Sequence, residues 1–82
     1  MTIEKTNAEK YDGIFMTTFM VAQSDLSGLK YQDVVAWDSV GHMSMVAELE
    51  EVFDIEMDID DIIDLTDYQK GKETVGKYGI LL

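Results

Sequence analysis

Five side chains between residues 42 and 53 constrain this chain most. His42, Met45, Val46, Leu49 and Phe53 recur at helical intervals. At about 100° per residue they share one stripe, so Ser39 to Phe53 is predicted to be a helix with that stripe on the core. Ser39, Val40, Met43, Ala47 and Glu51 then lie on the other side, with Ser44, Glu48 and Glu50 nearby. A merely solvated face needs no Val40 or Met43. An apolar patch ringed by acids suits reversible docking of a partner. The competing reading packs Val40 and Met43 against the preceding loop.

The rest of the chain is also helical in pattern. Thr6-x-x-Glu9 is a capping-box signature, followed by Ala8, Tyr11, Ile14, Phe15, Thr18-Phe19 and Ala22, which places a first helix from about Asn7 to Ala22. Gly13 weakens it slightly. Residues 23–37 have no clean period; isolated Leu26, Leu29, Tyr31 and Val34 read as a long loop pinned by buried side chains. Asp58-Ile59-Asp60-Asp61-Ile62-Ile63 predicts a short helix. Thr66-x-x-Gln69, a second capping-box pattern, opens a last helix carrying Tyr68, Gly71, Val75 and Tyr78, with Gly79 as its stop. With no proline and no strand-like alternation, the expected fold is all-α: a small four-helix bundle of three longer helices and a short one.

Eighty-two residues predict one domain, 1–82. So short a chain buries roughly 60% of its unfolded surface, enough for a modest core and too little for a roomy enzyme cleft. A hydrophobic fraction of 46% argues against disorder. Without cysteine, neither a disulfide nor a thiolate metal site can form, and any thiol must be added. No apolar run is long enough for a membrane span, and Met1-Thr2-Ile3-Glu4-Lys5 lacks a signal-peptide pattern, so a cytoplasmic protein without membrane insertion is expected. The net charge of −11 disfavours nucleic acid and anionic surfaces and favours basic proteins as partners. Between Asp38 and Asp67 stand Asp38, Glu48, Glu50, Glu51, Asp54, Glu56, Asp58, Asp60, Asp61, Asp64 and Asp67, with no lysine among them. A solvated acidic face is the plain reading of such a run. Its position around Ser39 points instead to a docking surface.

Asp38-Ser39 stands at the mouth of the second helix. Helix N-termini offer unsatisfied N–H groups and partial positive charge, which favour a phosphate attached there. Either residue also serves as an ordinary N-cap. Physics alone leaves attachment and capping level, with Asp38 the expected cap and Ser39 free. The Asp38-Ser39-Val40 step, followed by Met45-Val46-Ala47-Glu48-Leu49-Glu50-Glu51-Val52-Phe53, resembles the acyl carrier protein family. The likeness runs from about Tyr11 to Tyr78. It implies a non-enzymatic, monomeric carrier. Ser39 would hold a 4′-phosphopantetheine arm, delivered from coenzyme A by a phosphopantetheinyl transferase, and acyl groups would ride on the arm's thiol as thioesters. It further implies docking through Asp38, Val40, Met43, Ala47, Glu48 and Glu51 to acyl-loading, acyl-transfer or synthase enzymes with basic surfaces. Gly41-His42-Met43-Ser44-Met45 departs from the fatty-acid-synthesis members, where an acidic residue and Val-Glu-Leu usually follow Ser-Leu. The Gly-Gly-x-Ser pattern of peptide-synthetase carriers is absent too. Fatty acid synthesis, polyketide synthesis and another dedicated acyl transfer all stay open. The alternative from a different class is an unmodified acidic module that binds a basic partner.

Other chemistries fit less well. Gly-x-Ser-x-Gly fails at Trp37. His42, the only histidine, falls on the core stripe and is expected to be partly buried with a backbone partner. A calcium loop starting at Asp54 would need glycine at Ile59 and glutamate at Leu65. No metal ligand set is therefore expected, and Ile55, Met57 and Ile59 are expected to seat the loop and third helix on the core. Met16, Met20, Met43, Met45 and Met57 are expected as simple core filling, with a deformable interior that could admit an acyl chain as the secondary reading.

Overall fold

The computed structural model describes residues 5–82. Four helices follow one another: α1 (Asn7–Phe19), α2 (Ser39–Phe53), α3 (Ile59–Asp64) and α4 (Tyr68–Lys77), with one 3₁₀ turn at Gln23–Asp25. The all-α bundle expected from the periodicity is the fold found. None of these helices is long and apolar enough to cross a membrane.

Local signals start the helices. Thr6 and Glu9 form the reciprocal capping box of α1, with Glu9 N–H donating to Thr6 Oγ1 at 3.1 Å and Thr6 N–H to Glu9 Oε1 at 3.0 Å. The hydrogen bonds from Thr6 hold the Glu9 carboxyl below its ordinary value. At α4 the expected Thr66–Gln69 box does not form. Asp67 is the N-cap, its Oδ1 accepting from Lys70 N–H at 2.7 Å. Asp67 is extended and bridged to Lys30: Thr66 O accepts from Tyr31 N–H, and Tyr68 N–H donates to Leu29 O, each at 2.9 Å. This pairing with the long loop moves the helix start one residue on. The third helix likewise runs one residue later than expected.

Helix ends were less legible. α1 stops at Phe19, three residues before the expected Ala22, because Met20 turns left-handed at φ 56°. Val21 N–H then donates back to Met16 O, and Val21 packs on the core. α2 ends the same way, with Asp54 at φ 53° and Ile55 N–H donating to Glu50 O. In both, a β-branched apolar residue is pulled inward directly after the turn, in the manner of a Schellman cap.

The core joins α1, α2 and α4 with the loop. Tyr11, Phe15, Phe19, Trp37, Met45, Val46, Leu49, Leu65, Tyr68 and Val75 are buried in it. Trp37 stacks on Phe19 with centroids 4.4 Å apart and meets Phe15 edge-on at 5.6 Å. Tyr11 donates to Tyr68 O at 2.6 Å, and burial pushes its hydroxyl pKa upward. Of the five methionines expected in the core, only Met45 and Met57 are buried. Met16 is half-buried, whereas Met20 and Met43 face outward, which corrects the core-filling expectation. Ile55 and Met57 seat the second loop as expected, but Ile59 is 72% exposed because α3 sits on the core by its other side.

Candidate functional site

The site forms where α2 begins. Asp38 is extended (φ −102°, ψ −169°) and caps the helix, its Oδ1 accepting from Gly41 N–H at 2.8 Å. Its carbonyl accepts from His42 N–H, also at 2.8 Å. The amides of Ser39 and Val40 are the first-turn donors left over. With Asp38 serving as cap, Ser39 stands exposed as the first helical residue. Gly41 makes this entry possible: a β-carbon there would lie 1.9 Å from Ala36 O.

Beyond Ser39, α2 divides as its period required. Met45, Val46, Leu49 and Phe53 are buried, and His42 is half-buried. Val40 is 73% and Met43 51% exposed, so neither is buried against the loop. Ala47, Glu48 and Glu51 are exposed on the same outward surface, as is Asp38. Glu50 is half-buried rather than outward, because its Oε2 accepts from Met57 N–H at 2.9 Å and fastens the loop after α2.

An apolar cavity of about 250 Å³ opens beside Ser39, lined by Tyr31, Ser39, His42, Met43, Ile62, Ile63, Leu65 and Thr66. One wall is α2 and the other α3. A larger depression of about 540 Å³ between α1 and α2 shares no residue with it and is lined by charged and hydroxyl groups, among them Glu9, Lys10, Thr17 and Glu48. Ile14 and Val52 line it too, but it lacks Ser39 and mixes them with four charged side chains, so the smaller and almost wholly apolar cavity is the one matched to the site.

His42 keeps both ring nitrogens engaged. Trp37 Nε1–H donates to Nδ1 at 3.0 Å, and Nε2 lies 2.8 Å from Ile62 O. The backbone partner was foreseen; the indole partner was not. No hydrogen bond joins this ring to Ser39, and both its nitrogens are taken by other partners. Among the described residues no three His, Cys, Asp or Glu side chains converge to hold a metal ion.

Opposite the cavity, α3 is tied to α4. Lys77 and Tyr78 both donate to Asp61, the latter at 2.5 Å, and Asp58 N–H donates to Tyr78 Oη at 2.8 Å. The Lys77 bond first, and the Tyr78 bond second, hold the Asp61 carboxyl below the ordinary range. Sequence reasoning counted Asp61 among the surface acids and had no local signal for this clamp.

No family model, curated protein or solved structure matches the chain. What the site does is therefore read from its geometry and chemistry.

Proposed function

We propose that this chain is an acyl carrier whose Ser39 holds a 4′-phosphopantetheine arm. The observation that carries the reading is a serine on the first turn of α2, relieved of capping by Asp38, exposed, and at the lip of an apolar cavity. A serine that only caps a helix needs neither exposure nor a cavity.

The energetics favour a covalent arm over a bound one. A helix N-terminus stabilises an exposed anion by about 0.3–1 kcal/mol. The Asp38 carboxylate next door opposes it by about 1 kcal/mol at 4 Å in water. These nearly cancel, so the site would not retain a free phosphate. It does offer a hydroxyl. A phosphopantetheinyl transferase would join Ser39 Oγ to the phosphorus bearing the pantetheine arm of coenzyme A, with adenosine 3′,5′-bisphosphate leaving. The arm's thiol supplies the acyl attachment this cysteine-free chain lacks. The cavity between α2 and α3 shelters the apolar part of the acyl group.

The outward surface of α2 supports the same reading. Exposed Val40, Met43 and Ala47 among Asp38, Glu48 and Glu51 form a small apolar patch with an acidic rim. Such a patch suits acyl-loading, acyl-transfer and synthase enzymes with basic docking surfaces. Charge raises their encounter rate, and the small apolar area keeps release fast.

Incubation with coenzyme A, magnesium and a broad-specificity transferase should add one phosphopantetheine per chain by intact mass, and Ser39→Ala should add none. A wild-type chain that takes no arm while binding basic proteins would favour the unmodified docking module. Full modification of Ser39→Ala would overturn the choice of residue.

A further inference from the structure

We infer that His42 is a positioning residue that ties α3 to α2 across the cavity beside Ser39, and so governs how readily that cavity admits an apolar group. The nature of the guest rests on the acyl-carrier reading; the tie itself does not.

α3 depends on its anchors. It has six residues, far below the length at which a helix is stable in water. Two of its three isoleucines, Ile59 and Ile63, are 72% and 66% exposed, and only Ile62 packs against the core. Little apolar area holds it, so its polar bonds carry more than their usual share. On the α4 side these converge on Asp61. On the cavity side there is His42.

The geometry assigns the proton. An indole N–H is only a donor, so His42 Nδ1 must accept from Trp37, and the neutral ring carries its hydrogen on Nε2. That hydrogen faces Ile62 O at 2.8 Å. Ile62 lies in the last turn of α3, where carbonyls lack intrahelical partners. Leu65 N–H is spent on Asp61 O and Thr66 N–H on Asp64 O. His42 therefore caps α3 from another helix. Trp37 is itself fully buried against Phe15 and Phe19, so the ring is braced from the core. One line of contacts runs from α1 through Trp37 and His42 to the α3 wall of the cavity. To widen the cavity, α3 must give up this bond and leave a half-buried carbonyl without a partner.

The test uses the unmodified ¹⁵N-labelled protein. Two-bond ¹H–¹⁵N spectra should show the His42 proton on Nε2, and this needs no variant. His42→Leu keeps apolar bulk and removes both bonds. It should speed amide exchange at residues 62–65 by about tenfold relative to α1, the factor expected for one lost hydrogen bond. It should bind n-octanol tighter by a similar factor, since the open form is more populated. His42→Gln offers an acceptor to Trp37 and a donor to Ile62, and should restore exchange to within about threefold of wild type. A proton on Nδ1, exchange in α3 rising no more than in α1, unchanged octanol affinity, or no rescue by glutamine would each overturn the proposal. Failure of Ser39 to accept an arm would overturn the carrier reading and leave these results standing.

Discussion

A β-carbon on Gly41 would sit 1.9 Å from the Ala36 carbonyl oxygen and 3.1 Å from its carbon. Neither atom is the end of a flexible side chain, so the backbone before Ser39 would have to move. Gly13, inside α1, has nothing within 4 Å of the same construction. The two glycines therefore answer alanine oppositely. Gly13→Ala should stabilise the fold by about 0.5–1 kcal/mol through helix propensity alone. Gly41→Ala gains the same propensity, but overpacking costs about 1–3 kcal/mol and displaces the Asp38–Ser39 entry. Urea unfolding of both variants decides it; a Gly41→Ala midpoint at or above wild type would remove the close-approach explanation. Gly71 repeats the theme, since its β-carbon would lie 2.1 Å from Tyr11 Oη, the group that reaches Tyr68 O. The glycine at 41 was visible in the sequence only as a departure from a pattern. Its reason is a carbonyl that the folded loop places there.

Among the elements, α3 is the one whose stability is borrowed. Asp61 receives Lys77 and Tyr78, and its bond to the Lys77 ammonium pushes that group above its ordinary value. Because the folded carboxyl titrates below the unfolded value of about 3.9, its contribution is complete above that pH and fades as pH falls through the folded value. Asp61→Asn should therefore lower the melting temperature most near neutral pH, and the gap to wild type should narrow toward pH 3. Thermal unfolding from pH 3 to pH 7 reads this; a gap independent of pH would mean that the clamp's charge contributes nothing. α2 stands at the other extreme, with its own cap, a full buried stripe and fifteen residues. A well-anchored helix bearing Ser39 faces a lightly held one across the cavity, which suits the proposed opening on the α3 side.

Over the whole molecule, charge opposes compaction. The net charge is −11, and among the described residues one ion pair, Lys77–Asp61, forms. Folding brings the acids between Asp38 and Asp67 closer together than the unfolded chain does. A few kcal/mol of repulsion is a large share of the net stability of a small domain. Raising ionic strength from about 0.01 M to about 1 M shortens the screening length from roughly 30 Å to roughly 3 Å. The melting temperature should rise by about 4–8 °C for each kcal/mol relieved. Magnesium and calcium should act alike, because no described cluster of acids is arranged as a metal site. Matched chloride salts test this; a melting temperature indifferent to ionic strength would remove the repulsion argument, and a calcium-only rise at micromolar concentration would restore a specific ion site.

Helix α2 from Ser39 to Phe53, its buried stripe, the Asp38 cap and the Thr6–Glu9 box were all determined by the sequence alone. Each depends on residues within a few positions of one another, and helical geometry ties those positions together whatever the rest of the chain does. The outward placement of Val40, Met43, Glu48 and Glu51 follows from the same period. Tertiary structure alone decided the indole partner of His42, the inward duty of Glu50, the clamp on Asp61 and the burial of Trp37. It also decided that Asp67, not Thr66, caps α4. These pairings cross from a helix to a loop or to another helix, whether five residues apart (Trp37–His42) or seventeen (Asp61–Tyr78), and their geometry exists only once the long loop has laid Trp37 on Phe19 and α3 has closed over α2.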